Sequence, residues 1–228
     1  MDANRLLQQF LGNQPGQQNG QVPSAGNMLG GGFGKGAVAG GVLGLLIGSK
    51  KMRKMAGGMI GYGGAAAAGA LAYKAYQNWQ QGKQVASAPI ATQADIAQTD
   101  PRFLPPPANT SAGQNFSLTL ISAMIAAAKA DGHIDANEQT AIFEQVEKMS
   151  LDAESKAFVF DALRKPVDLD ALVSGVQGIE QASEVYLVSR VAIDVDHPAE
   201  RAYLQALAHR LNLPAELVAH LDHQIVDA

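Results

Sequence analysis

The sequence predicts an all-α protein in two parts: Gly/Ala-rich helices that lie in or against a membrane, followed by a compact multi-helix bundle. Three observations predict it. Small residues recur at every fourth position of an apolar region, as Gly36, Gly40, Gly44 and Gly48 and then as Gly57, Gly61, Ala65 and Gly69. Charge is divided between the halves: residues 1–115 carry nine Lys/Arg and three Asp/Glu, residues 116–228 eight and eighteen. The second half repeats apolar residues at helical spacing, with almost no strand-like alternation bounded by hairpin turns.

Taken in order, residues 1–35 are a short amphipathic N-terminus and a flexible segment. Leu6, Leu7, Phe10 and Leu11 fall on one side of a short helix, and the chain start lacks the basic and apolar regions of a cleavable signal peptide. Residues 12–35, rich in Gly, Gln, Asn and Pro, offer few side chains for packing.

Residues 36–81 are the predicted membrane-associated region. Residues 36–49 are uncharged but short for a span, whereas the stretch Met55–Tyr73 runs nineteen residues without a charge. On a helix the four-residue spacing puts the small residues on one face. Water gives little reason to build such a helix, because glycine forms helices poorly there. A glycine zipper in a bilayer does, because small faces let backbones approach closely. The primary expectation is a transmembrane helix near 55–73 with 36–49 as an interfacial or re-entrant partner. A hairpin turning at Lys50-Lys51-Met52-Arg53-Lys54 and an Ala/Gly-rich segment buried against the rest of the protein are the alternatives. The glycine faces imply self-association or pairing with another membrane helix. Residues 82–115 read as a Pro-rich linker, with Pro89, Pro101 and Pro105-Pro106-Pro107 breaking helices.

Residues 116–228 read as one helical domain. The first helix, about 117–130, has Leu120, Ile121, Met124 and Ile125 as its apolar stripe. A second begins after Asp135, whose spacing to Glu138 matches a capping box, and buries Ile142, Phe143, Val146 and Met149. A third covers 153–163 and ends at Lys165-Pro166. A short helix follows Asp168, with Leu169, Leu172 and Val173 inward. Gly178 precedes a long helix around 180–193 carrying Val185, Leu187, Val188 and Val191. The next starts at Pro198, a favoured first-turn position, with Tyr203, Leu204, Leu207 and Leu211. The last starts near Pro214 and holds Leu217, Val218 and Leu221.

Two acidic turns stand out. Asp131-Gly132-His133-Ile134-Asp135 leads to Glu138, and Asp194, Asp196 and His197 lead to Glu200. Each follows an apolar helix and opens another. Helix capping explains them through the free N–H groups and the helix dipole. A cation site explains them too, because Asp131, Asp135, Asp194, Asp196 and Glu200 are hard oxygen ligands suited to calcium or magnesium. Like charges gathered in one place require separation, protonation or a cation. The spacing does not match an EF-hand loop.

The segments AKADGHIDANE at 128–138 and AIDVDHPAERAYLQALAHRLNL at 192–213, with the Gly/Ala-rich first half, resemble the YebE-type inner-membrane proteins of Gram-negative bacteria, a family of unknown function. The second half resembles the TerB-like domain named for tellurite resistance. The resemblance implies a TerB-like helical bundle with two pseudo-repeats and a divalent metal held by paired acidic motifs. Its ligands here are Asp131, Asp135 and Glu138 in the first turn and Asp194, Asp196 and Glu200 in the second. Val195 stands where the first turn has Gly132, which departs from a symmetric site.

Other function classes are disfavoured by composition. The chain has no cysteine, which removes disulfides, thiolate catalysis and Cys-type zinc sites. It has no HExxH, Walker A loop or serine elbow. His220 and His223 are three apart, but such a pair alone is weak grounds for a metal. The acidic second half disfavours nucleic acid. The functional expectation is a non-enzymatic, membrane-anchored binding or scaffold protein of the inner membrane. Its helical domain lies in the cytoplasm and takes a protein partner or a divalent cation. The alternatives are a metal-dependent hydrolase and a soluble structural oligomer.

Overall fold

The computed structural model describes residues 2–10, 64–85, 93–104, 110–130, 132, 152–193, 195 and 197–226. Every regular element among them is helical. In chain order these are α1 (Ala3–Phe10), α2 (Gly64–Gln80), α3 (Gln93–Ala97), a 3-10 turn (Pro101–Phe103), α4 (Ser111–Ala128), α5 (Ala153–Arg164), α6 (Leu169–Val173), α7 (Gly178–Val191), α8 (Pro198–Arg210) and α9 (Ala215–Val226).

Local chemistry sets most of the helix starts. The Thr110 hydroxyl accepts from the Gly113 N–H at the head of α4, and Asp152 and Asp168 do the same for Ser155 and Ala171 at α5 and α6. Each satisfies a donor that the first helical turn leaves free. At α8 Pro198 occupies the first turn, the His197 ring accepts from the Ala199 N–H, and Glu200 reaches back to the His197 N–H in a capping box. Gly178 opens α7 at a φ of 70°, a left-handed conformation that L side chains rarely adopt.

The frame is built around α7. Residues Ala182 to Val191 are buried without interruption, and the helix packs against α2, α4, α8, α9 and the 3-10 turn. α4 is the other large-residue wall. Phe116, Leu120, Ile121, Met124 and Ile125 are all buried on it. α1 lays Leu6 and Leu7 against α4, and the Ser117 hydroxyl donates to Asn4 Oδ1 at 2.9 Å.

α2 corrects the central sequence expectation. No helix among the described residues is long and apolar enough to cross a membrane. α2 contains the described part of the stretch read as a transmembrane helix, and it lies inside the bundle. Ala68, Ala70, Leu71, Ala72 and Ala75 are buried, and its closest neighbours are α9 and α7. The all-α assignment holds, but the Gly/Ala-rich membrane helix does not. The inner-membrane location and the membrane as partner lose their support with it. The physical reason is that a small-residue face serves any close helix approach, in protein as in lipid.

Gly69 makes this concrete. A Cβ built there would overlap the Phe103 carbonyl oxygen. At Gly69 the small face is therefore taken up within the chain, by the 3-10 turn, and is not free for self-association. The Phe103 ring completes the contact, 5.4 Å from the Tyr73 ring and 5.2 Å from that of Tyr76. The stretch read as a linker thus carries a fully buried aromatic. Gly36, Gly40, Gly44, Gly48, Gly57 and Gly61, the basic run at 50–54 and the predicted helix with Ile142, Phe143, Val146 and Met149 lie outside the described residues.

Candidate functional site

Of the six residues expected to hold a metal, Asp131, Asp135, Glu138, Asp194 and Asp196 lie outside the described residues. Glu200 is described, and its carboxylate accepts the His197 N–H at 3.1 Å as a helix cap. Among the described residues no three His, Asp or Glu side chains gather closely enough to hold a metal ion. The expectation of a metal-binding or metal-catalytic protein is corrected accordingly. The described carboxylate here is engaged in capping, the chemistry that acidic helix starts favour most simply.

The polar residues of α7 are a more informative group. Ser183, Glu184, Ser189 and Arg190 are all buried on it. Three have partners. Ser183 Oγ donates to the Ile179 carbonyl at 2.7 Å and Ser189 Oγ to the Val185 carbonyl at 2.9 Å, each within its own helix. Arg190 donates to the Ile193 carbonyl at 3.3 Å and sits 3.4 Å from Asp222 Oδ1 on α9. The Tyr186 hydroxyl donates to that same oxygen at 3.0 Å. Burial raises the Asp222 carboxyl, against the pull of the Tyr186 hydrogen bond and the Arg190 charge. Burial also raises the Tyr186 hydroxyl, and the neighbouring Asp222 adds to the shift.

Glu184 differs. It is 0% exposed, and neither carboxyl oxygen has a hydrogen-bond partner. Its Oε2 lies 3.6 Å from the position a Gly69 Cβ would take, so it faces the bare backbone of α2. Desolvation pushes this carboxyl well above the ordinary glutamate range. On α9, which packs against α2 and α7, His220 and Gln224 are also buried, and His220 Nδ1 and Gln224 Oε1 lack partners. The meeting of these three helices therefore holds under-satisfied polar atoms beside the smallest residues of the core.

A groove of about 290 Å³ opens on the other side of α4, between it, α5 and α6. Leu118, Ile125, Leu172, Lys129 and Lys165 are among its lining residues. Lys129 is committed to structure. Its ammonium donates to the Ala162 carbonyl at 3.2 Å and also to that of Lys165, tying α4 to the C-terminal end of α5. Burial lowers its pKa.

Sequence reasoning missed Glu184 and Phe103. Glu184 follows Ser183 on a helix read only for its valines and leucine, and Phe103 stands among prolines. The available signal was the density of apolar residues on both sides of Glu184, Val185 to Val188 after it and Ile179 and Ala182 before it, which leaves a helix little solvent face.

A family model described as "Protein of unknown function (DUF533)" matches residues 32–225. An "Uncharacterized protein in ampR 5'region" of Yersinia enterocolitica is 34% identical over 106 residues, which are 46% of this chain and 76% of that protein. No solved structure matches. The resemblance to YebE-type inner-membrane proteins with a TerB-like domain is not supported. The family match is to DUF533, and no described helix has the length and apolarity of a membrane span.

Proposed function

We propose that this chain, which belongs to the DUF533 family of proteins of unknown function, is a non-catalytic helical scaffold that folds on its own. One observation carries the reading: a continuous buried core that runs from Leu6 and Leu7 of α1 to Ile225 of α9 and includes the small-residue helix α2. Ionisable groups along it serve the architecture. Lys74 pairs with Asp95 at 2.8 Å beside α2, Arg102 with Glu180 at 2.8 Å, and Arg210 with Asp170 between α8 and α6. Lys129 and Glu200 close helix ends. This arrangement suits a protein whose product is a shape.

Thermal unfolding of the full-length chain tests it, followed by far-ultraviolet circular dichroism and by Trp79 emission over a hundredfold range of protein concentration. A self-contained scaffold gives coincident transitions whose midpoint does not depend on concentration. A midpoint that climbs with concentration contradicts independent folding. A small metabolite that raises the midpoint in the unmodified chain but not in Lys129→Ala contradicts the non-catalytic reading and moves attention to the groove.

A further inference from the structure

The contact between α2 and α7 combines two features that rarely sit together. One side is backbone made bare by Gly69; the other is a carboxyl with no partner and no water access. A neutral carboxyl is tolerated there with its O–H donor and its carbonyl acceptor both unpaired. A carboxylate is not, because a buried charge without a partner carries a far larger desolvation penalty. The way to hydrate it is to move the helix that covers it. α2 is the helix least able to resist, because it buries mainly alanine and glycine, whereas α4 buries Phe116, Leu120, Ile121, Met124 and Ile125.

We propose that Glu184 is a proton-dependent latch on α2: the helix stays seated while the carboxyl keeps its proton and lifts away when the carboxyl ionises. This stands independently of the scaffold reading.

Among the described residues, the neighbours of α7 offer no compensating charge. On α2, Lys74 is paired with Asp95, and the Tyr73 and Tyr76 hydroxyls accept from Gln77 and Gln80. Arg102 of the 3-10 turn is held by Asp100 and Glu180. α4 carries no ionisable side chain. On α8, Glu200 caps its own helix, the Tyr203 hydroxyl points to the Ala123 carbonyl at 3.4 Å, and Arg210 pairs with Asp170; Arg201 and His209 are exposed. On α9, Asp222 is bound to Tyr186 and Arg190, Glu216 is exposed in the first turn, and the exposed His223 contacts the Ala219 carbonyl. His220 remains, buried on α9 with Nδ1 unpartnered, as the other ionisable side chain to control for.

The sign follows from linkage. The seated state holds the Glu184 proton to higher pH than the open state does. Seating is therefore fully stable below the ordinary glutamate pKa and weakens as pH rises towards the raised, seated value. Above that value it weakens no further. Within the window, one proton released on opening makes the opening constant rise about tenfold per pH unit.

Hydrogen exchange of the full-length chain from about pH 5 to pH 9, corrected for intrinsic exchange, reads this directly. In the unmodified chain the opening constant for residues 66–80 should climb with that slope while α4 stays protected. Glu184→Gln should abolish the slope, and His220→Gln should keep it. A slope that survives Glu184→Gln or vanishes in His220→Gln overturns the latch, as does opening of α2 and α4 in parallel. If Glu184→Gln does not fold, Trp79, the only tryptophan and a residue of α2, supplies the reading in the unmodified chain. A reversible red shift of its emission across the window supports the latch, and unchanged emission overturns it.

Discussion

α2 and α4 are both long, apolar and buried, and they are buried for opposite reasons. α4 is held by what its side chains fill: five large residues, Phe116, Leu120, Ile121, Met124 and Ile125, face the core. α2 is held by what its residues leave empty. Its alanines and Gly69 let α7, α9 and the Phe103 carbonyl come close, and Leu71 is the one large aliphatic it buries. Apolar burial scales with area, so α4 carries much more of the driving force. α2 depends on dispersion between closely packed backbones and on the absence of side chains. The difference teaches that small-residue periodicity reports close approach without saying whether the partner is lipid-embedded or part of the same chain.

Substitutions should separate the two helices by the volume change that harms each: removal in α4, addition in α2. Leu120→Ala in α4 removes buried volume and should destabilise the chain by about 3–4 kcal/mol in chemical denaturation. Gly69→Ala adds a single methyl group and is favoured by helix propensity, yet it should cost about 3 kcal/mol, because the obstacle is a backbone carbonyl that cannot rotate away. A neutral or stabilising Gly69→Ala would break the comparison, since propensity would then outweigh packing. Tyr186→Phe removes a hydrogen bond between α7 and α9 and should cost about 1 kcal/mol. Because α9 forms part of the seat of α2, exchange protection should fall more in α2 than in α4. Thr110→Ala, which removes the α4 cap, should cost about 0.5–1 kcal/mol and fray only the first turn, seen as faster exchange of the Gly113 amide.

The second half was largely legible because its helices obey the rules that sequence patterns encode. The positions expected inward on α4, α7 and α8 are buried there: Leu120, Ile121, Met124 and Ile125, then Val185, Leu187, Val188 and Val191, then Tyr203, Leu204 and Leu207, with Leu211 buried at the C-cap of α8. Leu6 and Leu7 of the amphipathic start are buried as well. Helix starts at Pro198 and after Asp168 came from capping chemistry, which is local in sequence.

What was illegible is non-local. Nothing near Phe103 indicates that its carbonyl meets Gly69, 34 positions earlier in the chain. The same alanines and glycines satisfy a bilayer and a protein interior equally, so the membrane reading of 55–73 followed from a pattern that does not distinguish them. Glu184 was hidden for a related reason: a polar residue on a helix is assigned to water unless the neighbours that surround α7 on several sides are known. The metal expectation found no support among the described residues, and five of its six ligands lie outside them. Acidic residues before helices carry one message at the level of sequence, and capping and metal ligation both use it; at Glu200 the structure shows the cap.

α2 is seated in the chain's own core by the Phe103 turn. Aromatic nuclear Overhauser effects in detergent-free buffer at about pH 5, where seating is firmer than at neutral pH, test this most directly. Cross-peaks are expected from the Phe103 ring to the rings of Tyr73 and Tyr76, whose centroids lie 5.4 and 5.2 Å away. A folded chain that shows the α4–α7 contacts but no cross-peak between Phe103 and either tyrosine would contradict it.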